Sequence, residues 1–160
     1  MENSKAYSVK GKYSTFFLML ACSFVAMYVT MYLNTYSMDH VYFSLTRFYM
    51  SCLGIAAMAV IMWFFMRHMY KNTKKNIAIL AGSLILFVAA LALIRAQKPI
   101  IGDMLRLRAM IPHHSIAILT SERANIQDSE VKQLADAIIK AQREEIEEMK
   151  IMIKRLENEK

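Results

Sequence analysis

Two adjacent histidines, His113 and His114, are the side chains of this sequence whose type and spacing best suit metal binding. In a helix, Asp103, Met110 and His114 share one face, because they stand at positions i, i+7 and i+11. Imidazole and thioether groups are donors that suit copper. His113 lies about 100° round the helix from His114, and Pro112 is expected to bend the helix just before the pair. A pair of surface histidines that holds no ligand is the simpler alternative.

A second helix is predicted by a heptad-like seam near the C-terminus, in which the residues are spaced alternately by four and three. Two polar residues, Gln142 and Glu145, interrupt the seam, and Met149 follows one turn later. A buried carboxylate is costly unless it is paired, protonated or bound to a cation. Glu145 therefore either meets a lysine or arginine or belongs to a polar site inside a helical bundle. The seam is formed by Val131, Ala135, Ile138, Gln142, Glu145, Met149, Met152 and Leu156.

Methionine is the unusual residue of the N-terminal half, because nine of the 14 methionines lie between Met19 and Met69. Stacked thioethers can pass a soft ion such as Cu(I) from one ligand set to the next. The alternative is that these methionines fill gaps between packed helices, and both interpretations stay open. Residues 38–40, which contain Met, Asp and His, are a further candidate ligand group. The methionines of the candidate membrane path are Met27, Met31, Met50, Met58, Met62 and Met66.

Three uncharged apolar stretches are each close to the ~20 residues that cross the hydrocarbon core of a bilayer. They predict transmembrane helices at about 16–36, 46–67 and 77–96. Together these helices form a predicted membrane domain over residues 1–98, with the lipid bilayer as its partner. The first stretch is too long for a cleaved signal peptide, and no small-residue cleavage site follows it.

Positive charge is concentrated in the membrane half. Residues 1–99 contain ten Lys and Arg against two acids, whereas residues 100–160 contain ten against eleven. The basic residues of the N-terminal tail and of the second loop place both in the cytoplasm by the positive-inside rule. Three spans then predict a bacterial inner-membrane protein whose C-terminal domain is periplasmic. No basic face lies on the soluble part, so binding to nucleic acid is not expected.

The C-terminal part, residues 103–157, is predicted to form a helical hairpin after a short linker at 97–102 that contains Pro99. Its helices are expected at about 103–125 and 129–157, with a polar turn between them. Two helices of this length cannot bury both of their apolar faces alone. Two hairpins are therefore expected to pair between chains into a four-helix bundle. The predicted fold is an all-α membrane protein that forms at least a homodimer.

Two segments of the hairpin resemble the signature of the DUF305 family. They read DMLRLRAMIPHHSIAI over residues 103–118 and LADAIIKAQREEIEEM over residues 134–149. The resemblance implies a ferritin-like helical domain, and some family members are periplasmic copper-binding proteins. Many members carry two hairpins in tandem where this chain has one, which favours assembly between chains, and Leu119 stands where the family often has methionine. The site residues that the resemblance implies are Asp103, Met110, His113, His114, Gln142, Glu145 and Met149.

The sequence thus predicts a membrane-anchored protein that binds copper, as Cu(I) or Cu(II), or silver, in metal homeostasis or resistance. One alternative is an oligomeric Cu(I) conduit through a methionine-lined membrane path. Another is a structural module that needs no metal, in which the polar seam residues set the register of assembly. An enzyme is not expected, because the sequence contains no nucleophile–base pair, phosphate-binding glycine loop or dinucleotide fingerprint. It also lacks the Glu-x-x-His motifs of di-iron bundles.

Overall fold

The computed structural model describes residues 2–96 and 100–159, with side chains from residue 12 onward. Within these ranges the regular structure is helical and there is no β-strand, which confirms the predicted all-α fold. Residues 97–99 of the predicted linker lie outside the described residues. The helices are α1 (Glu2–Thr30), α2 (Leu45–Met66), α3 (Thr73–Ala96), α4 (Asp103–Arg123) and α5 (Ser129–Asn158), with 3₁₀ turns at Met38–His40 and Arg67–Met69.

Within the described part of the chain, three segments are long and apolar enough to cross a membrane, namely Lys12–Thr30, Leu45–Met69 and Thr73–Ala96. Each is close to the ~20 residues that the hydrocarbon core requires. Most side chains of these segments lie outside the protein core, where an apolar surface needs lipid. The segments agree with the prediction of a membrane protein with three spans.

The first helix ends at Thr30, six residues before the predicted end of its span. Beyond it the backbone forms turns instead, in which the N–H of Leu33 donates to the carbonyl of Thr30 at 3.1 Å and the N–H of Thr35 donates to the carbonyl of Tyr32 at 3.2 Å. The Thr35 hydroxyl also donates to the Tyr32 carbonyl at 2.8 Å. The absence of charge shows how far the apolar stretch extends. The end of the helix instead depends on residues that favour turns, so α1 stops before the apolar stretch does.

The chain folds into two compact units. One comprises Met1–Val29 and Arg47–Ala96, and the other comprises Thr30–Thr46 and Gln97–Lys160. The segment that connects the first two spans therefore belongs to the same unit as the C-terminal hairpin. The sequence alone did not indicate this association.

The membrane unit has an apolar core to which all three spanning helices contribute, including Phe16 from α1, Ile55 from α2 and Ile79 from α3. A network of hydrogen bonds lies at one end of this core. The Tyr13 hydroxyl donates to Oδ1 of Asn76 at 2.8 Å and accepts from the N–H of Asn72 at 3.2 Å. The segment before α3 is thereby attached to α1.

The second unit is built around the hairpin of α4 and α5. Asp128 caps α5, because its carboxylate accepts from the N–H groups of Glu130 and Val131, both at 2.9 Å. This satisfies two donors that a helix start leaves unpaired. The helix α4 continues through Pro112 from Asp103 to Arg123. The core of this unit is formed by Ile111, Ile118, Ile146, Met149 and Ile153, with Tyr42, Met104, Leu107, Met110 and Ile139 packed against it.

Candidate metal site

The side chain of His114 joins the two helices of the hairpin. Its Nδ1 lies 2.9 Å from the backbone carbonyl of Met110, one turn earlier in α4. Its Nε2 lies 2.6 Å from Oε2 of Glu145 in α5. The partner of Glu145 is thus a histidine on the facing helix and not a lysine or arginine. The Glu145 side chain is 52% exposed, so within one chain its carboxylate is not buried as the seam position predicts.

The contact of His114 with Met110 leaves one ring nitrogen for another ligand. A carbonyl oxygen only accepts, so Nδ1 is the nitrogen that donates to Met110. Histidines that bind metals commonly donate one ring N–H to a carbonyl and direct the other nitrogen at the metal. The His114–Glu145 pair fits this pattern, because a cation between Nε2 and Oε2 would meet one nitrogen and one oxygen donor.

Two thioethers lie one helical turn from this pair. Met110 precedes His114 by four residues in α4, and Met149 follows Glu145 by four residues in α5. Residues four apart are neighbours on a helix surface. Both methionines pack in the core of the second unit, where Met149 is buried and Met110 is half-buried. Four donors predicted from the sequence thus stand on facing turns of α4 and α5.

The other predicted ligands differ in their placement. Gln142 precedes Glu145 by three residues and is therefore its neighbour on the surface of α5, whereas His113 and Asp103 are exposed. The ring centroid of His113 is 6.1 Å from that of His114 with the planes at 63°. Asp103 lies at the start of α4, eleven residues and ~16 Å of helix from His114. Gln142 is half-buried. Within residues 2–96 and 100–159, no three His, Cys, Asp or Glu side chains converge as a metal-binding group, so the candidate site depends on its thioethers.

A second polar cluster is centred on Ser115, the residue after His114 in α4, and joins it to His40 of the group at residues 38–40. Ser115 is fully buried, and its hydroxyl accepts from the N–H of Tyr36 at 2.7 Å and lies 3.0 Å from Nδ1 of His40. His40 is only 7% exposed, and burial lowers the pKa of its imidazole from the ordinary value. The contacts join residues 75 and 79 positions apart, and no local pattern signals them.

Ion pairs fasten the same segment to α5. The Lys150 ammonium lies 2.6 Å from Oδ2 of Asp39 and 2.9 Å from Oε1 of Glu147. The hydrogen bond from Lys150, helped by one from Ser37, lowers the pKa of Asp39 to about 2. Burial opposes the charge on Lys150, but the two carboxylates outweigh it and raise the pKa of Lys150. The carboxylate of Asp39 is therefore already bound by a cation of the protein itself.

The three side chains of the candidate ligand group at residues 38–40 do not converge, because each has different surroundings. Met38 is 86% exposed, Asp39 is bound by Lys150, and His40 faces Ser115. Oδ2 of Asp39 lies 3.8 Å from Nε2 of His40. This distance is longer than a hydrogen bond.

The membrane methionines fall into two environments. Four of them, Met27, Met58, Met62 and Met66, pack against the core of the membrane unit. Met31 is half-buried and Met50 is 46% exposed. Sδ of Met27 lies only 2.6 Å from where a Cβ on Gly54 would stand. In α2, residues 50, 54, 58, 62 and 66 repeat every four positions, and all are methionine except Gly54. A methionine from α1 therefore fills the gap at the one position of this core stripe that lacks a side chain.

Comparisons with known proteins place this architecture in a family. The sequence model described as "Domain of unknown function (DUF305)" matches residues 89–160. The "Uncharacterized protein L153" of Acanthamoeba polyphaga mimivirus is 38% identical over 139 residues, which cover 85% of this chain and 89% of the relative. This chain belongs to the DUF305 family. No solved structure gives a significant match. Neither the DUF305 description nor that of the viral relative states an activity, so function rests on the chemistry of the site.

Proposed function

We propose that this DUF305 protein is a membrane-anchored copper-binding protein whose site lies between α4 and α5. The observation that carries the proposal is the His114–Glu145 pair. Nδ1 of His114 is tied to a carbonyl, which leaves Nε2 facing the Glu145 carboxylate at 2.6 Å. Met110 and Met149 supply thioethers one turn away. Imidazole with thioether ligands favours copper over zinc, calcium or magnesium, and silver is the related soft probe.

The role that we assign to each residue follows from its place. His114 supplies a nitrogen donor, and Met110 and Met149 supply sulfur donors that hold Cu(I). The carbonyl of Met110 keeps the imidazole oriented through Nδ1, and Glu145 supplies an oxygen donor and balances the positive charge of the ion. A bound copper ion would serve as cargo or as a sensed ligand, so the proposed role is binding rather than catalysis.

We further propose that two hairpins pair into a four-helix, ferritin-like bundle. Leu134 is 61% exposed, Ile138 is 36% exposed and Met152 is 42% exposed. Ile138, Glu145 and Met152 occupy the same heptad position, because they are seven residues apart. A second copy that covered this stripe would also cover Glu145 and enclose the candidate metal site. The homodimer therefore supports the site by removing it from water.

The proposed orientation has the N-terminus and the second loop in the cytoplasm and the hairpin on the opposite side, which is the periplasm for a bacterial inner membrane. The positive-inside rule supports the first part. The contact between Asp39 and Lys150 supports the second, because both the first loop and the residues after the third span then lie on one side. A reporter enzyme that works only outside the cytoplasm, fused after Lys160, should be active, and an inactive fusion would reverse the orientation.

The decisive experiment measures bound copper and silver per chain in the purified full-length protein in detergent. We expect His114→Ala to weaken binding by at least the 10–100-fold that loss of even an outer-shell partner costs a metal site. His113→Ala is the matched control, since its exposed imidazole lies outside the group of four donors, and it should retain the metal. Unchanged binding in His114→Ala would reject this site. No binding by the unchanged protein, with a stable oligomer present, would favour the structural module.

The Cu(I) conduit is kept as a second candidate because of one observation in the membrane unit. Met27 of α1 fills the gap at Gly54 of α2. Thioethers from two helices therefore pack against the same core. Packing alone also accounts for this arrangement. The two roles are separated by the methionine substitutions described in the Discussion.

A further inference from the structure

The membrane unit contains an apolar groove that is independent of the candidate copper site. Its volume is about 710 Å³. The groove is walled by one face of α1, from Tyr13 to Val25, and one face of α3, from Lys75 to Leu86, and α2 contributes alanines to its floor. Apart from the end at Tyr13 and Lys75, its lining is almost wholly apolar.

The length of the groove matches one leaflet of a bilayer. From Lys75 to Leu86 the groove follows eleven residues of helix, or ~16 Å, about half of the ~30 Å hydrocarbon core. An acyl chain that lay between α1 and α3, with its head group at Lys75, would therefore follow the groove within a single leaflet.

The end of the groove at Lys75 carries positive charge, and the described side chains of the membrane unit, in residues 12–29 and 47–96, include no carboxylate that could neutralise it. The sequence contains no Asp or Glu in residues 3–38 or 40–102. Nζ of Lys75 lies 4.9 Å from the centroid of the Tyr13 ring, at the mouth of the groove. Lys71 and Lys74 stand beside it in sequence, and Lys12 precedes Tyr13. These lysines complement an anionic head group attached to an apolar tail.

We propose that this groove binds an anionic phospholipid, with one acyl chain between α1 and α3 and the phosphate at Lys75. The ring of Tyr13 holds the ammonium at the mouth by a cation–π contact until a phosphate replaces it. The hydroxyl of Tyr13 is engaged with Asn72 and Asn76, so it shapes the mouth. The lipid would seal the gap that the three helices leave between them.

Gly82 provides a direct test, because a Cβ at this position meets nothing within 4 Å although the residue lines the groove. Gly82→Phe should therefore fill the groove without displacing other side chains. Leu84→Phe is the matched control, since Leu84 is 64% exposed on the same helix and does not line the groove. Lys75→Gln tests the head group, and Arg95→Gln, at the other end of α3, is its control.

The experiment is native mass spectrometry of the full-length protein in detergent, titrated separately with phosphatidylglycerol, phosphatidylcholine and inorganic phosphate. We expect one phosphatidylglycerol to bind about fivefold more tightly than phosphatidylcholine, which is the effect of one lysine near an anionic lipid. Lys75→Gln should remove this preference and Gly82→Phe should remove the bound lipid, whereas both controls should behave like the unchanged protein. Helix content by circular dichroism verifies that each variant is folded.

Three outcomes would overturn the proposal. Equal retention of phosphatidylglycerol and phosphatidylcholine by the unchanged protein would show that the groove does not select an anionic head group. Retention of phosphatidylglycerol by Gly82→Phe would place the lipid elsewhere on the surface. Displacement of the lipid by inorganic phosphate alone would mean that the lysines bind a free anion and that the groove plays no part. If Gly82→Phe does not fold, the lipid preference of Lys75→Gln still decides the question.

Discussion

At the scale of single residues, His114 and His40 show how surroundings separate two histidines of the same unit. The ring of His114 bridges two helices and ends on the Glu145 carboxylate. The ring of His40 is buried against the hydroxyl of Ser115. The sequence singled out His114 by its neighbours Met110 and His113. It could not reveal that His40 is buried, because its partner is 75 residues away.

Acid should destabilise the protein through His40. Burial lowers the pKa of this imidazole below the ordinary value of 6.5, so between the two pKa values the unfolded state binds more protons than the folded state. Stability is therefore complete above about pH 6.5 and declines as the pH falls through the folded-state pKa. We expect the unfolding temperature of the full-length protein in detergent to fall by a few °C from pH 7 to pH 5, since ~1 kcal/mol corresponds to about 2–4 °C at this size.

A pair of variants isolates the contribution of His40. In His40→Asn the fall between pH 7 and pH 5 should become smaller, because the titrating group is absent. In His113→Asn, which replaces an exposed imidazole, it should persist. An equal pH dependence in all three proteins would show that other groups control the response to acid.

At the scale of helices, the sequence predicted the parts of the fold that depend on local pattern. The hairpin helices begin where they were expected, at Asp103 and Ser129, since capping residues and heptad spacing are local signals. The end of α1 at Thr30 was predicted six residues too late, because an apolar run continues past the turn. The sequence also could not show that Met27 of α1 fills the gap left by Gly54 of α2, since this contact depends on how two spans pack.

The methionines of the membrane core offer a test of the conduit. Met58, Met62 and Met66 pack against the core, and leucine conserves their volume at a usual cost below ~1.5 kcal/mol. If these thioethers conduct Cu(I), the triple leucine variant should change the copper content of cells that express it, while its elution volume in detergent stays the same.

The control for this experiment is a double leucine variant of Met19 and Met69, which lie outside the candidate path and are 37% and 48% exposed. It removes thioethers of the membrane half without changing the core methionines, so cellular copper should not change. Equal copper content in cells with the triple variant, the double variant and the unchanged protein would leave packing as the role of the core methionines.

At the scale of the whole molecule, the proposed pairing of hairpins predicts that one face of α5 controls assembly. Ile138→Lys places a charge in the stripe shared with Leu134 and Met152, and burial of an unpaired charge is costly. The homodimer should then dissociate to monomers, as measured by light scattering of the protein in detergent. Copper binding should weaken as well, since the partner no longer covers Glu145.

Ile151→Lys is the matched control for the dimer. Ile151 is 67% exposed and lies about 140° round α5 from Ile138, so the same change of residue falls on another face. This variant should stay dimeric. Dissociation of both variants, or of neither, would contradict pairing through the stripe of Ile138 and Met152.

The second unit contains a segment that the sequence patterns do not assign to it. The family match starts at residue 89, yet the compact unit that contains the hairpin also includes Thr30–Thr46. The polar contacts of this segment reach Ser115 and Lys150 across long stretches of chain. Periodicity and capping describe one element at a time, so they cannot show which distant segment completes a core.

This division of the second unit has a consequence for how the protein is made. Thr30–Thr46 leaves the ribosome before the second and third spans, whereas Ser115 and Lys150 follow both. The unit is completed only after the last span has been inserted and only if both pieces reach the same side of the membrane. A chain inserted with the second or the third span missing would leave Ser115 without Tyr36 and His40, and Lys150 without Asp39. Closure of the hairpin over the first loop therefore depends on the correct insertion of both later spans.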